Sequence, residues 1–421
     1  MVESHLMDLV ALSREPSRPV RVMRVITQLS RGGVEAKLAE LLPLLGQRGF
    51  EVSVCCIKEA GSLAHRFAEA GIPIHVFPVR SRLHPIDLVR LARFIGRQWI
   101  DVVHTHMHAA NVTGTLAARL ASVPVIVANV HNVGKFQSRR QVVQDRLLAR
   151  YRDGTVCVSE QVKDDYLKAT GLSDEKAAVI YNGVDTAKFR PVWQPVGAPL
   201  AAPCFNLSNA HRAGQAPLLH DPAVLPVRRE LGIGEDERVL ISVGRLIPQK
   251  SPELLISAFK IVHESHPKTR LLVLGSGELR CDLEALAAKL ALSSSMIFAG
   301  FREDVAECLA ASDVFVSSSV KEGFSNALLE ALASGLPAVV TDVGGNREAL
   351  RDGQEGFLCK PRPQELAERV VRILCDSELC ERMSKSARER AMEFSLDRMA
   401  EQTAAYYRSL LAQKRGRTAD E

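Results

Sequence analysis

The feature that most constrains this chain is an alternation that runs through it twice. Apolar runs rich in valine and isoleucine recur at Val22–Ile26, Val52–Ile57, Ile74–Phe77, Val102–Val103, Val125–Val127 and Val156–Val158. Between them lie stretches with helical spacing, at Val34–Leu45, Ile86–Gln98, Ala109–Leu120 and Gln161–Lys168. Runs that are apolar throughout mark strands buried on both faces, and their alternation with helices makes the strands parallel. The pattern restarts at Val239–Val243, Leu271–Leu274, Met296–Ala299, Val314–Val316 and Ala338–Thr341. An α/β chain of two doubly wound, Rossmann-like domains is therefore expected, and 421 residues suffice for two of about 200 each.

The halves are separated by a change of composition. Pro191 to Pro226 holds seven of the 20 prolines and seven alanines, with Arg212 and Asp221 its only charged side chains. Such a stretch cannot continue a helix or a central strand, and it reads as an extended linker. The expected organisation is an N-terminal extension (1–19), a first domain (20–190), an interdomain linker (191–226), a second domain (227–394) and a terminal segment (395–421). The last begins with the helix Leu396–Leu411 and ends in a polar tail.

Apolar residues at 46% support a packed core and exclude wholesale disorder. The longest apolar stretches, such as Val123–Ala128, fall far short of the roughly 18 residues of a membrane span, and the N-terminal extension lacks a secretory pattern. Nine cysteines without a C-x-x-C pair suggest neither a zinc site nor a disulfide framework, so a cytoplasmic, metal-poor chain is expected. Net charge is +5, and its distribution says more than its total. Arg80–Arg97 has five arginines against Asp87, and Lys135–Arg152 has six basic residues against Asp145. Both patches favour an anionic surface. Aromatics at 5% leave no stacking platform for single strands, so nucleic acid is not an expected partner.

Open α/β sheets bind ligands at the carboxyl ends of their strands, and four loops there are unusual. Ser30-Arg31-Gly32-Gly33-Val34-Glu35 follows the first strand, where two glycines opening a helix let backbone N–H groups approach an anion. A plain tight turn is the competing reading, and the loop is neither a Walker loop nor G-x-G-x-x-G. Gly244-Arg245-Leu246-Ile247-Pro248-Gln249-Lys250 places a planar fork and a compact ammonium where both can meet one diphosphate. Two solvated cations are the alternative. The strongest block runs Lys321-Glu322-Gly323-Phe324-Ser325-Asn326-Ala327-Leu328-Leu329-Glu330, with a helix from about Ser325 to Gly335. Glu322 lies at the helix mouth and Glu330 inside the helix, so one carboxylate can meet a sugar and the other a pair of ribose hydroxyls. Glu330 sits in a mostly apolar segment and needs a partner. The fourth is the histidine set, His104, His106 and His108 after a strand and His131 after another. Their spacing is no zinc-helix pattern, and a catalytic or substrate-contacting histidine is the better reading. Asp313 and Asp342 flank strands and read as structural.

Together these residues resemble the family 4 retaining glycosyltransferases of GT-B fold. The matching pieces are Gly32-Gly33-x-Glu35, His131-Asn132, Val158-Ser159-Glu160, Asn182-Gly183-Val184-Asp185, Gly244-Arg245 with Lys250, Glu322-x7-Glu330, and Gly344-Gly345-Asn346-x-Glu348. They cover the chain from Val20 to about Tyr407. The resemblance implies two domains facing across a cleft, with a nucleotide-diphosphate sugar, UDP- or GDP-linked, bound by the second. Arg245 and Lys250 would hold the diphosphate, Glu330 the ribose and Glu322 the transferred sugar. Gly244 and backbone N–H groups from Gly323 through Phe324, Ser325, Asn326 and Ala327 to Leu328 would assist. Gly32 and Gly33 would approach from the other domain, which binds a hydroxyl acceptor with His131 near the donor sugar. The terminal helix would cross back onto the first domain. His131, Glu322, Arg245 and Lys250 are the implied catalytic set, with retention of configuration, no metal and no cofactor, since two fixed cations stabilise the leaving diphosphate.

Family members commonly build cell-envelope polysaccharide or glycolipid. Arg90, Arg93 and Arg97 share one helix face that can rest on anionic lipid at the inner face of the membrane, in the manner of enzymes using lipid-linked acceptors; a solvated arginine face is the equal alternative. Three rivals remain at this level: a nucleotide-sugar epimerase of the same fold, a non-catalytic sugar-nucleotide binding subunit, and a dinucleotide oxidoreductase suggested by Gly275-Ser276-Gly277. The last lacks its next glycine, since Arg280 holds that position.

Overall fold

The computed structural model describes residues 18–132, 139–191 and 224–419. Two parallel sheets form. The first comprises β1 (Val20–Ile26), β2 (Phe50–Cys56), β3 (Ile74–Val76), β4 (Val102–His106), β5 (Val125–Val130), β6 (Gly154–Cys157) and β7 (Ala177–Val179), in the order β3-β2-β1-β4-β5-β6-β7. The second comprises β8 (Arg238–Val243), β9 (Thr269–Leu274), β10 (Met296–Gly300), β11 (Val314–Ser317), β12 (Ala338–Thr341) and β13 (Gly356–Cys359), in the order β10-β9-β8-β11-β12-β13. Both orders reverse beside the first strand, between β1 and β4 and between β8 and β11. Loops leaving the two sides of such a reversal diverge and leave a crevice.

Period two along β1 fills two layers. Val22 and Ile26 pack with Leu38, Leu42 and Tyr407, whereas Met23 and Val25 pack with Leu91, Ile95 and Ala117. The helix Leu396–Ala419 returns to the first domain, where Tyr407 meets Phe50 edge-on at 5.8 Å and Lys414 pairs with Asp153 at 2.6 Å. Buried residues of both domains, among them Val158, Val184, Phe324 and Leu328, form one continuous apolar cluster. Within it Tyr181 and Phe324 from opposite sides stand 4.9 Å apart.

Three expectations change. The fourth strand does not stop at Val103 but runs to His106, so His104 and His106 are strand residues facing one layer, not loop residues. Arg152 is no surface cation: it is 2% exposed, and its guanidinium donates to Asp145 at 3.2 Å. Lys135, from the same basic stretch, lies outside the described residues.

The third change concerns the proline-rich stretch. The chain crosses between domains before it, where Val184 N–H donates to Phe394 O at 2.8 Å and Leu396 N–H donates to Val184 O at 2.9 Å. By Phe189 it is already held by the second domain, whose Arg388 donates to the Phe189 carbonyl at 2.7 Å. At the far end the helix Val224–Glu230 includes Pro226 in its first turn, a position proline tolerates. Arg228 there donates to Ala311 O at 3.0 Å, again in the second domain. Both ends of the expected interdomain linker 191–226 are thus held by the second domain, and its residues 192–223 lie outside the described residues.

Candidate active site

At the β8/β11 reversal two loops are sewn together. Gln249 Nε2 donates to Lys321 O at 3.0 Å, and the Ser318 hydroxyl reaches the carbonyls of Lys250 and Ser251 at 3.0 and 2.8 Å. This brings Lys250 Nζ to 2.5 Å from Glu322 Oε1, which also accepts from Ser319 Oγ at 2.6 Å. Glu322 is buried, and these two donors satisfy its carboxylate there. Arg245 stands exposed at the mouth beyond them. Behind the loop, any side chain at Gly275 or Gly277 would overlap the backbone oxygens of Gly244 or Leu246. Those glycines buttress the Arg245 loop, which removes the dinucleotide reading of Gly275-Ser276-Gly277.

The helix Asn326–Ala333 opens at the same mouth, capped by Ser325 Oγ, which accepts from Leu328 N–H at 3.3 Å. That N–H is thereby met by the Ser325 hydroxyl, and the Leu328 side chain is fully buried. The Phe324 side chain is also core; only its backbone faces the site. Glu330 is half-buried, and its carboxylate has no hydrogen bond or ion pair among the described residues. Burial pushes it up to about 7, against the opposing pull of Lys37.

Across the cleft, the first domain supplies close backbone. Asn326 Nδ2 donates to Gly33 O at 3.0 Å, and Asn182 Nδ2 donates to Asn326 Oδ1 at 2.8 Å. A Cβ at Gly32 would meet the Glu35 carboxylate, which would have to swing aside. Burial raises Glu35 while Arg245 opposes it, so the glycine loop and the Arg245 loop sense each other electrostatically. A Cβ at Gly323 would overlap the His131 carbonyl oxygen, and Ser159 Oγ donates to Gly323 O at 2.8 Å. Arg31 lies over the Phe301 ring at 4.4 Å. Glu348 accepts from the Glu160 and Gln161 N–H groups at 2.8 and 2.9 Å and from the Tyr181 hydroxyl at 3.0 Å. It caps the helix Glu160–Thr170 from the opposite domain, an anion on a positive helix end. Asn182, Ser319 and the Glu348 contact are partners the sequence reading left without roles, because each is fixed by a residue remote in sequence.

His131 directly follows β5 and accepts from Asn129 Nδ2 at its Nε2, 3.2 Å away. Burial first, and then the Arg24 charge, push it down to about 4, so the ring is neutral near pH 7. His104 and His106 stack at 4.7 Å inside the first domain. Among the described residues no group of His, Cys, Asp or Glu is arranged to hold a metal. Asp313 anchors a strand end, accepting from Arg238 and from Val239 N–H at 2.8 and 2.7 Å.

Two Rossmann-like domains meeting at their sheet reversals, one carrying paired cation and carboxylate and the other a glycine loop, define a GT-B glycosyltransferase. The pattern described as Glycosyltransferase Family 4 matches residues 31–188, and that described as Glycosyl transferases group 1 matches residues 226–390. The chain belongs to glycosyltransferase family 4. It is 27% identical over 374 residues to the UDP-Gal:alpha-D-GlcNAc-diphosphoundecaprenol alpha-1,3-galactosyltransferase of Escherichia coli, covering 85% of this chain and 88% of that one. It is also 27% identical to a D-inositol 3-phosphate glycosyltransferase of Streptomyces griseus, over 92% and 86% of the two chains. The crystal structure of Anabaena HepE in complex with UDP and glucose superposes with a TM-score of 0.79 at 21% identity, covering 93% of this chain and all of the other, and shares its fold.

Proposed function

We propose that this glycosyltransferase moves a sugar from a UDP-sugar to a hydroxyl acceptor with retention of configuration and without a metal. The observation that carries the reading is the Lys250–Glu322 pair set at the β8/β11 reversal, directly opposite His131 and Gly33. Departure of the nucleotide builds negative charge on the diphosphate. Arg245 and Lys250, with N–H groups at the start of the helix Asn326–Ala333, meet that charge in a closed cleft, where fixed donors act strongly. Glu330 accepts from the ribose hydroxyls and Glu322 from the transferred sugar. The acceptor hydroxyl attacks on the face the diphosphate leaves, and its proton passes to the departing phosphate. Neutral His131 orients the sugar by hydrogen bonding. Uridine is preferred over guanosine because the Escherichia coli relative is named for UDP-galactose and HepE holds UDP.

A place in envelope polysaccharide or glycolipid synthesis, on a lipid-linked acceptor, rests on the surface of the helix Pro85–Arg97. Arg90, Arg93 and Arg97 are exposed there beside Ile86 at 59% and Leu83 at 52% exposure, a basic rim around apolar side chains. No helix among the described residues is long and apolar enough to cross a membrane. The deciding experiment is a thermal-shift panel of UDP, GDP, ADP and TDP, followed by their sugar conjugates. A shift of about 2–4 °C with UDP alone supports the donor assignment. No shift with any nucleotide, together with no release of UDP from UDP-sugars, overturns it.

A further inference from the structure

The interior of the first domain holds a charge that nothing among the described residues balances. Arg24, in the middle of β1, is 1% exposed. Among the described residues no carboxylate pairs with it. Its Nη1 lies 2.9 Å from both His104 Nδ1 and His106 Nε2. A guanidinium only donates, so both ring nitrogens accept and the ring protons sit on His104 Nε2 and His106 Nδ1. His106 Nδ1–H, with Arg24 Nε and Nη2, is buried and has no partner among the described residues, while the Asn129 side chain acts on the His104 ring. Every unmet group here is thus a donor, and the one buried charge is positive. Tyr407, whose hydroxyl is 2.7 Å from His104 Nδ1, does not balance it, because burial keeps the phenol protonated. A buried cation in this state is costly unless an anion completes it.

The same residues line a cavity of about 30 Å³, with His131, Lys37 and Gly33 among its walls and no acidic side chain. Lys37 is already paired with Glu40 at 2.7 Å, so Arg24 is the wall's unbalanced charge. The space is that of two or so water molecules, enough for a terminal oxyanion but not for a sugar. Because His131 and Gly33 also border the donor site, a group seated here lies in the acceptor half and next to the reaction centre.

We infer that this cavity is an oxyanion site, in which Arg24 with neutral His104 and His106 holds a phosphate or carboxylate belonging to the acceptor. Assigning the oxyanion to the acceptor rests on the transferase reading; its binding does not.

The test measures melting temperature of the full chain in inorganic phosphate or succinate against chloride at matched ionic strength, with UDP binding as a separate readout. Lys250→Ala silences the donor-side cation, and Arg24→Met silences the cavity. Saturable stabilisation of about 2–4 °C in the wild type and in Lys250→Ala, lost in Arg24→Met while UDP binding persists, is the expected result. Response to phosphate but not succinate, or the reverse, names the anionic group. Stabilisation that survives Arg24→Met and disappears in Lys250→Ala places the anion at the donor site and overturns the inference. Absence of any stabilisation in Lys250→Ala overturns it too. Should Arg24→Met fail to fold, His106→Leu takes its place, removing one of the donors.

Discussion

Lys250 and Glu322, 72 residues apart in sequence, face each other with Nζ 2.5 Å from Oε1. The cation assigned to the diphosphate and the carboxylate assigned to the sugar thus hold one another. On the proposed function, donor binding would exchange one partner for another instead of ordering two free charges, since each side chain already holds a partner.

Lys250→Ala therefore has two expected effects. Turnover falls by about 10²–10³-fold, the loss of one fixed donor to a developing anion. Stability falls by about 1–3 kcal/mol, because Glu322 keeps only Ser319 as a buried partner. Steady-state kinetics and denaturant melts check the two separately, and wild-type-like turnover removes Lys250 from the site.

Glu330 gives a pH signature. Its carboxyl is raised to about 7 from an ordinary 4.5, so the free protein is favoured while it is protonated, and that stability is lost as pH rises through about 7. On the proposed ribose role, hydroxyls would donate to the ionised form, so UDP binding would lower this value and release a proton near pH 6, beside any lost by the nucleotide's own terminal phosphate, whose second ionisation also falls near pH 6. Calorimetry in buffers of different ionisation heat should show a larger release in the wild type than in Glu330→Gln, with UDP binding tightening more steeply from pH 5 to 7 in the wild type; equal release in the two removes Glu330 from the ribose site.

Gly323→Ala tests the closed cleft. The added methyl overlaps the His131 carbonyl, which is backbone and cannot step aside. The domains should stand apart, raising the radius of gyration in X-ray scattering and abolishing turnover, while each domain keeps its secondary structure. An unchanged scattering profile rejects this role.

Glu348→Ala removes the cap on the helix Glu160–Thr170 and the Tyr181 contact together. A loss of about 1–2 kcal/mol is expected in thermal melts. Glu348→Gln should restore only part of it, because the charge on the helix end is gone.

Replacing Arg90, Arg93 and Arg97 with glutamine tests the membrane surface. At about 1 kcal/mol for each basic residue near an anionic surface, removing three weakens binding to anionic vesicles roughly a hundredfold at low salt. Wild-type binding that is absent, or indifferent to salt, rejects the surface.

Eleven of the thirteen strands were legible in the sequence because doubly buried strands leave continuous apolar runs, whereas the short edge strands β7 (Ala177–Val179) and β13 (Gly356–Cys359) carry too few apolar residues to stand out; the site loops were legible because glycines and charges at strand ends have few other uses. The histidines misled for a physical reason. His104 and His106 alternate in strand period, but a polar residue at a buried strand position looks like a loop until its partner is known, and Arg24 lies 80 residues before His104. Arg152 misled in the same way, since Asp145 was counted against a patch instead of paired with one arginine. Ser319, Asn182 and Glu348 owe their roles to residues in other loops, and no local spacing encodes that.

The hold of the second domain on both ends of the proline-rich stretch has a practical consequence. Phe189 and Arg228 are fastened there by Arg388 and Ala311, so the chain that joins the two domains is complete by Phe189. A residue added between Asn182 and Phe189 would alter the spacing of the domains, whereas a change of length after Pro191 would not enter that connection.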